Sequence, residues 1–293
     1  MAAGLRCIVV LLIAATTAPL YSQARAETAH DLVRDVIYNE LHDREHDSHW
    51  QYRSECVSST QNVVREQVET DEGPIFRLLA RNGNPLDAAQ QDREDARLAE
   101  YLQSPAQIAK VDRDHQEDES RLAGMMELLP QAFLFEYQGG PDGHLQRIAF
   151  RPNPAFVPAS YEARIVHALA GTFTVDVRTK RMVEMRGTVA ERVEFGYGLL
   201  GHVEKGGTFD IHRRQVSAEH WKTDLVDVHV QGKILMLKTV GKDEREARSD
   251  FRPVPVGTTL EQAREMLNET VDRQTRARLV QPGNAAKGIS SDR

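Results

Sequence analysis

The 293-residue chain carries 37 basic and 44 acidic residues, a formal net charge of −7, and only two cysteines. An acidic balance of this kind excludes a nucleic-acid partner, because phosphate recognition draws on clustered Lys and Arg. Two cysteines, one of them in the first ten residues, exclude a disulfide framework.

Residues 1–26 hold one basic residue, Arg6, then an apolar run over residues 7–15, then small residues up to Ala24-Arg25-Ala26. This pattern predicts a secretory signal peptide cleaved before Glu27, with Ser22-Gln23-Ala24 as a neighbouring site. The run is too short for a membrane anchor, which needs about 20 apolar residues. The expected location is periplasmic or secreted. Cleavage removes Arg6 and Arg25 and no acid, leaving 35 bases against 44 acids, a net charge of −9, with Cys56 as the remaining cysteine and no transmembrane segment. Such a chain is long enough to bury a core without staples.

Over residues 29–44 the apolar residues Leu32, Val33, Val36, Ile37 and Leu41 recur at helical spacing, which predicts an amphipathic first helix. Alternation then takes over in "WQYRSECV" and "VVREQVET", and turns at Asp71-Glu72-Gly73-Pro74 and Asn82-Gly83-Asn84-Pro85 frame "IFRLLAR", so a small antiparallel set of strands is expected. Residues 87–130 are helical and highly charged, predicting two helices broken at Ser104-Pro105. From Phe133 onward period-two segments dominate: Phe133/Phe135/Tyr137, Ile148/Phe150, Phe173/Val175/Val177, Val193/Phe195/Tyr197/Leu199, Phe209/Ile211 and Val226/Val228/Val230. Next comes "KILMLKTV", apolar throughout, as in a strand covered on both faces. A short helix, "TLEQAREMLNET", closes the pattern, and residues 276–293 read as a disordered tail. The expected fold class is α+β: one domain over residues 27–275, with a long antiparallel curved sheet, an N-terminal helix, a helical insert and a short C-terminal helix.

One stretch matches a catalytic motif. His42-Asp43-Arg44-Glu45-His46 reads H-x-x-E-H, as in the inverted zinc peptidases, and His49 follows. Zinc catalysis would need His42, His46 and a further ligand such as His49 to converge in a walled cleft. At about 100° per residue, however, His42 and His46 fall opposite the apolar arc and face solvent. The favoured reading is a helix-to-strand corner, with no cofactor. Cys56 lies in an alternating strand and reads as a buried thiol. The glycines of "GYGLLGHVEKGG" lack phosphate-cradling spacing and read as strand bends.

The order of elements, the passage "GTFTVDVRTKRMVEMRGTV" with Asp176, Thr179 and Arg181 in a "D-x-x-T-x-R" hairpin, and "KGGTFDIHRRQV" followed by "WKTDLVDVHVQGKILMLK" resemble the LolA/LolB-like lipoprotein-carrier superfamily. The resemblance covers most of residues 50–255. It implies an incomplete β-barrel whose concave apolar face takes up acyl chains, with Phe173, Val175, Met185, Phe195, Tyr197, Phe209, Ile211 and Met236 as wall residues. The first functional expectation is a non-enzymatic envelope protein binding a lipid, a lipoprotein acyl chain or another amphipathic ligand. The alternative is a sensor or interaction module that meets an envelope protein partner through the acidic insert. The third is a zinc hydrolase centred on His42, Glu45 and His46.

Overall fold

The structure is a computed structural model that describes residues 27–45, 49–195, 201–234 and 242–280. The segment read as a signal peptide, His46, Tyr197 and Met236 lie outside those residues. Chain order is α1 (Ala29–Glu45), β1 (Trp50–Ser58), β2 (Asn62–Val68), β3 (Ile75–Arg81), β4 (Asn84–Pro85), α2 (Ala88–Leu102), α3 (Pro105–Ala132), β5 (Phe133–Tyr137), β6 (Leu145–Pro152), α4 (Tyr161–His167), β7 (Leu169–Asp176) and β8 (Arg181–Val189). It continues through β9 (Val193–Phe195), β10 (Gly201–Val203), β11 (Thr208–Gln215), β12 (Trp221–Val230), β13 (Gly232–Ile234), β14 (Lys242–Pro253) and α5 (Leu260–Val280).

Local chemistry sets the helix ends. The Thr28 hydroxyl accepts from the Asp31 N–H at 3.1 Å and donates to the Asp31 carboxylate at 2.7 Å. Asp87 and Gln90 form a reciprocal capping box that starts α2. Ser104 caps α3 and Pro105 opens it, where a missing N–H costs nothing. Both breaks fall where the sequence predicts them.

Eleven strands form one antiparallel sheet in the order β4-β3-β2-β1-β14-β12-β11-β8-β7-β6-β5, and the sheet does not close into a barrel. The expected sequential meander is interrupted once. β14, a charged strand with no sequence signature of its own, lies between β1 and β12 and joins the N-terminal strands to the rest. Its alternation is of charge rather than hydropathy: Glu244, Glu246 and Arg248 face one way, Asp243, Arg245 and Ala247 the other. β9, β10 and β13 form a separate three-stranded sheet. Val193 and Phe195 therefore do not extend the main sheet, and the "KILMLKTV" segment begins in β13, with residues 235–241 outside the description. α4 and the extension of α5 to Val280 are further departures; the helix enters the segment read as tail.

The register assigns two faces. Ile148, Phe173, Met185, Ile211, Val226, Glu246 and Cys56 are paired in succession across six neighbouring contacts and share one face. Gln51, Val68 and Ile75 share the other. On the first face α1 buries Leu32, Val33, Val36 and Ile37 against Phe133, Phe150, Phe173, Val175 and Met185, joined by Met126 and Leu129 of α3. On the second, α5 buries Leu260, Ala263 and Leu267 with Leu98 and Tyr101 of α2 against Val68 and Ile75. Two cores thus sit on opposite faces and opposite ends of one sheet.

α3, 28 residues and about 42 Å long at 1.5 Å per residue, connects them: Ile108 and Val111 pack on the second core, Met126 and Leu129 in the first. Between these anchors residues 116–122 are exposed on every side. That stretch draws support from its own side chains, Gln116 on Asp112 at 3.0 Å and Arg121 on Asp118 at 3.0 Å.

α2 also covers the free edge of β3, where Glu94 accepts from the Leu78 N–H at 2.9 Å and Arg97 donates to the Phe76 carbonyl at 2.7 Å. These bonds satisfy backbone groups that would otherwise template another chain.

α1 is locked by charge as well as by packing. Glu40 has no accessible surface. It pairs with Arg213 at 2.6 Å and accepts from the Met182 N–H at 2.9 Å, while Arg181 lies at 3.8 Å and pairs with Asp43 at 2.9 Å. The "D-x-x-T-x-R" hairpin explains itself here: Asp176 accepts from the Arg178 and Thr179 N–H groups to form the turn, and Arg181 latches α1. Removing one member of such a buried pair strands the other charge. Glu40→Ala is therefore expected to cost about 3–5 kcal/mol, read as a lower urea midpoint; a loss within about 0.5 kcal/mol would show that α1 is held by packing alone.

Gly171 and Gly187 are direct partners across β7 and β8. A Cβ on Gly171 would lie 2.0 Å from the Arg186 carbonyl oxygen, and one on Gly187 would lie 2.3 Å from that of Ala170. Gly187→Ala should lower stability by about 1–3 kcal/mol, as overpacking does, measured by the same unfolding curve.

Candidate functional site

The sequence-derived wall residues divide into three groups. Phe173 and Val175 have no accessible surface, and Met185 and Phe209 are buried in the same core, with Ile211 packed against it. Phe173 touches Phe150 at a centroid distance of 5.2 Å, and Phe150 touches Phe133 at 4.8 Å. Phe173 and Val175 thus meet protein atoms on all sides. Phe195 stands in the small sheet with its side chain outside the description, and Tyr197 and Met236 fall outside it altogether.

The same face continues beyond the fully buried core. Ile211, Val226 and Val228 on β11 and β12 are half-buried, and their ladder neighbours on β14 and β1 are polar. There Glu246 accepts from Arg248 at 3.1 Å and from the Ser54 hydroxyl at 2.7 Å, with Arg65 at 3.6 Å. Arg248 lies over the Tyr52 ring, and Gln67 donates to the Tyr52 hydroxyl at 2.6 Å. An apolar strip therefore runs into a buried charged network within three strands.

Burial alone would raise the Glu246 carboxyl, but Arg248, Ser54 and Arg65 outweigh it and bring it down to about 2. Burial pushes the Tyr52 hydroxyl up. Burial also raises the Cys56 thiol, reinforced by Glu244 and Glu246, so the thiolate needed of a nucleophile is disfavoured.

A second feature lies under α3: a cleft of about 450 Å³ between the helix, the turn at residues 70–74 and the starts of β1 and β12. Asp112, His115 and Glu119 of α3 form one wall, and Arg213, Lys222 and Arg248 come from the sheet. Its polar lining suits a charged or peptide group better than an alkyl chain.

Of the motif segment, His42 and His49 lie among the described residues and stand in different surroundings. His42 sits exposed on α1, with its ring 4.2 Å from that of Tyr38 and an Nε2 contact to the Tyr38 hydroxyl at 3.1 Å. His49 enters the cleft beside Asp71 at 3.7 Å. Sequence reasoning missed the Glu246–Arg248–Tyr52 network because β14 has no apolar alternation; the signal available was an alternation of acid and base in "DEREAR".

Because the Glu246 carboxyl is held below its usual range in the fold, its contribution to stability is complete above pH about 4.5 and is lost as pH falls toward 2. Unfolding midpoints measured from pH 5 to pH 2 should fall less steeply in Glu246→Gln than in the unaltered protein. Equal slopes would place the acid sensitivity elsewhere.

No protein-family model matches this chain, and no curated protein matches it. A solved structure, the di-domain ARO/CYC StfQ from the steffimycin biosynthetic pathway, aligns over 87% of this chain and 93% of its own at 12% identity, with a TM-score of 0.11, a likeness that carries no argument for fold or activity.

Proposed function

We propose that the protein is a non-enzymatic envelope protein that binds an amphipathic ligand, a lipid or a lipoprotein acyl chain, on a LolA/LolB-like open-barrel scaffold. The observation that carries this reading is the α1 face itself. Half-buried Ile211, Val226 and Val228 adjoin the charged Glu246–Arg248 pair, so one surface offers an apolar strip for a chain and a polar end for a headgroup. The signal-peptide pattern supports this reading, since a secreted chain would meet such ligands. Among the described residues no helix is long and apolar enough to cross a membrane, so contact with lipid would be through a surface or a bound molecule rather than a helical span.

A second reading, an interaction module without lipid, is favoured by the packing around Phe173 and Val175 and by the exposed acidic stretch of α3. Native mass spectrometry of protein from its own envelope fraction separates the two. The carrier reading expects a stoichiometric lipid mass, and Val226→Asp should weaken ligand binding about tenfold or more, since a carboxylate would then be buried without a partner. A bare mass, with a protein partner lost on Glu117→Lys, would replace it with the module.

A further inference from the structure

We propose that Glu184, Asp210 and His212 form a binding site for one divalent transition-metal cation, with zinc as the probe. The site lies on the face of the sheet opposite α1, beyond the strands that α5 covers. Glu184 on β8 and His212 on β11 are direct ladder partners, and Asp210 stands two residues from His212 on the same face.

Their ligand atoms lie within 4.8 Å of one another. His212 Nε2 is 2.9 Å from Asp210 Oδ1 and 3.4 Å from Glu184 Oε1. With metal–ligand bonds of about 2.1 Å, ligand atoms sit about 3.0 Å apart at right angles and about 3.4 Å apart at the tetrahedral angle, so both contacts fit the edges of one coordination sphere.

A second observation points the same way. His212 Nε2 and Asp210 Oδ1 are shielded from solvent, and neither has a hydrogen-bond partner although they lie 2.9 Å apart. The 2.9 Å contact is an ion pair when His212 is protonated and lacks hydrogen-bond geometry, and the ligand atoms of all three residues converge within 4.8 Å. Asp210 also faces Asp227 directly on β12, a like-charge ladder pair in which Asp227 is met by His229 at 2.9 Å and Arg245 at 3.0 Å. Like charges in that position repel, and a cation bound to Asp210 offsets the repulsion.

The ligand set selects the metal class. An imidazole with two carboxylates favours zinc, manganese or iron over calcium and magnesium, which prefer oxygen alone. Thr174 donates to Glu184 Oε2 at 3.1 Å and orients the carboxylate, as partners of metal ligands do. Arg186 opposes binding: it contacts Glu184 Oε1 and pairs with Asp210 in the ladder. Its side chain is 59% exposed, so a cation would displace it into solvent at small cost.

The test is zinc titration of chelator-treated mature protein at pH 7.5, followed by calorimetry and by the visible spectrum of a cobalt-loaded sample. One zinc per chain is expected. His212→Ala and the isosteric Asp210→Asn should each weaken it about tenfold or more, Arg186→Gln should tighten it, and His49→Ala should leave it unchanged. Circular dichroism and melting midpoints confirm that each variant is folded. Absence of binding up to about 100 µM zinc overturns the proposal, as does affinity that survives His212→Ala or that disappears in His49→Ala, which would return the metal to the "HDREH" segment.

Discussion

A carboxylate with no accessible surface anchors the architecture. Glu40 costs several kcal/mol to remove from water, and close opposite charges together with one backbone donor offset that cost. Arg213, the Met182 N–H and Arg181 supply them from β11 and β8, and Arg213 extends the connection by donating to the Trp221 carbonyl at 2.7 Å at the start of β12. On balance burial pushes the Glu40 carboxyl up, and Arg213, the Met182 N–H and Arg181 counter only part of that rise, so the buried charge relies on those partners. The helix has one position on the sheet in which that charge is compensated. Its apolar face is thereby fixed over Phe133, Phe150 and Phe173.

The sheet that receives α1 is used on both faces, at different ends. β5 to β8 and β11 carry their core on the α1 side, and β2 and β3 carry theirs on the α5 side. Each half leaves the opposite face without a helical core. On the α1 side the part beyond the core is the half-buried strip from Ile211 to Val226, ending at the Glu246 network; on the α5 side it is the charged ladder running through Glu184, Asp210 and Asp227. α3 joins the two cores, which accounts for a long helix that is apolar near its ends and charged on every side between them. Both surfaces argued to bind something are consequences of one arrangement: a wide sheet with too few helices to cover it twice.

The two bound species would be independent. The proposed amphipathic ligand would meet Val226 and Val228, whereas the proposed cation would meet Asp210 and His212 on the reverse side of the same strands. Gly171 and Gly187 bring β7 and β8 together without side chains where the Phe209 ring lies over Gly187, so the α1 face stays packed beside the polar reverse face.

Much of the fold was legible in the sequence because it rests on local rules. Helical spacing marked α1, Asp87 and Ser104-Pro105 marked the starts of α2 and α3, and alternation marked β1, β2, β5, β6, β7, β11 and β12. α4 was missed because seven residues are too few for a periodic signal, and β14 because it alternates charge where the pattern rules look for hydropathy. Grouping Phe173, Val175, Met185 and Phe209 was also within reach, since residues two apart in paired strands share a face, but whether such a face encloses space or is filled depends on what packs above it. The sequence by itself determined most of the segments that become helices and strands, along with the net charge. Only the tertiary structure decided that β14 inserts between β1 and β12, that the two cores lie on opposite faces, and that Glu184 meets His212. The reason is physical: strand pairing and charge compensation join residues far apart in the chain, and no local periodicity records which distant strand supplies the partner.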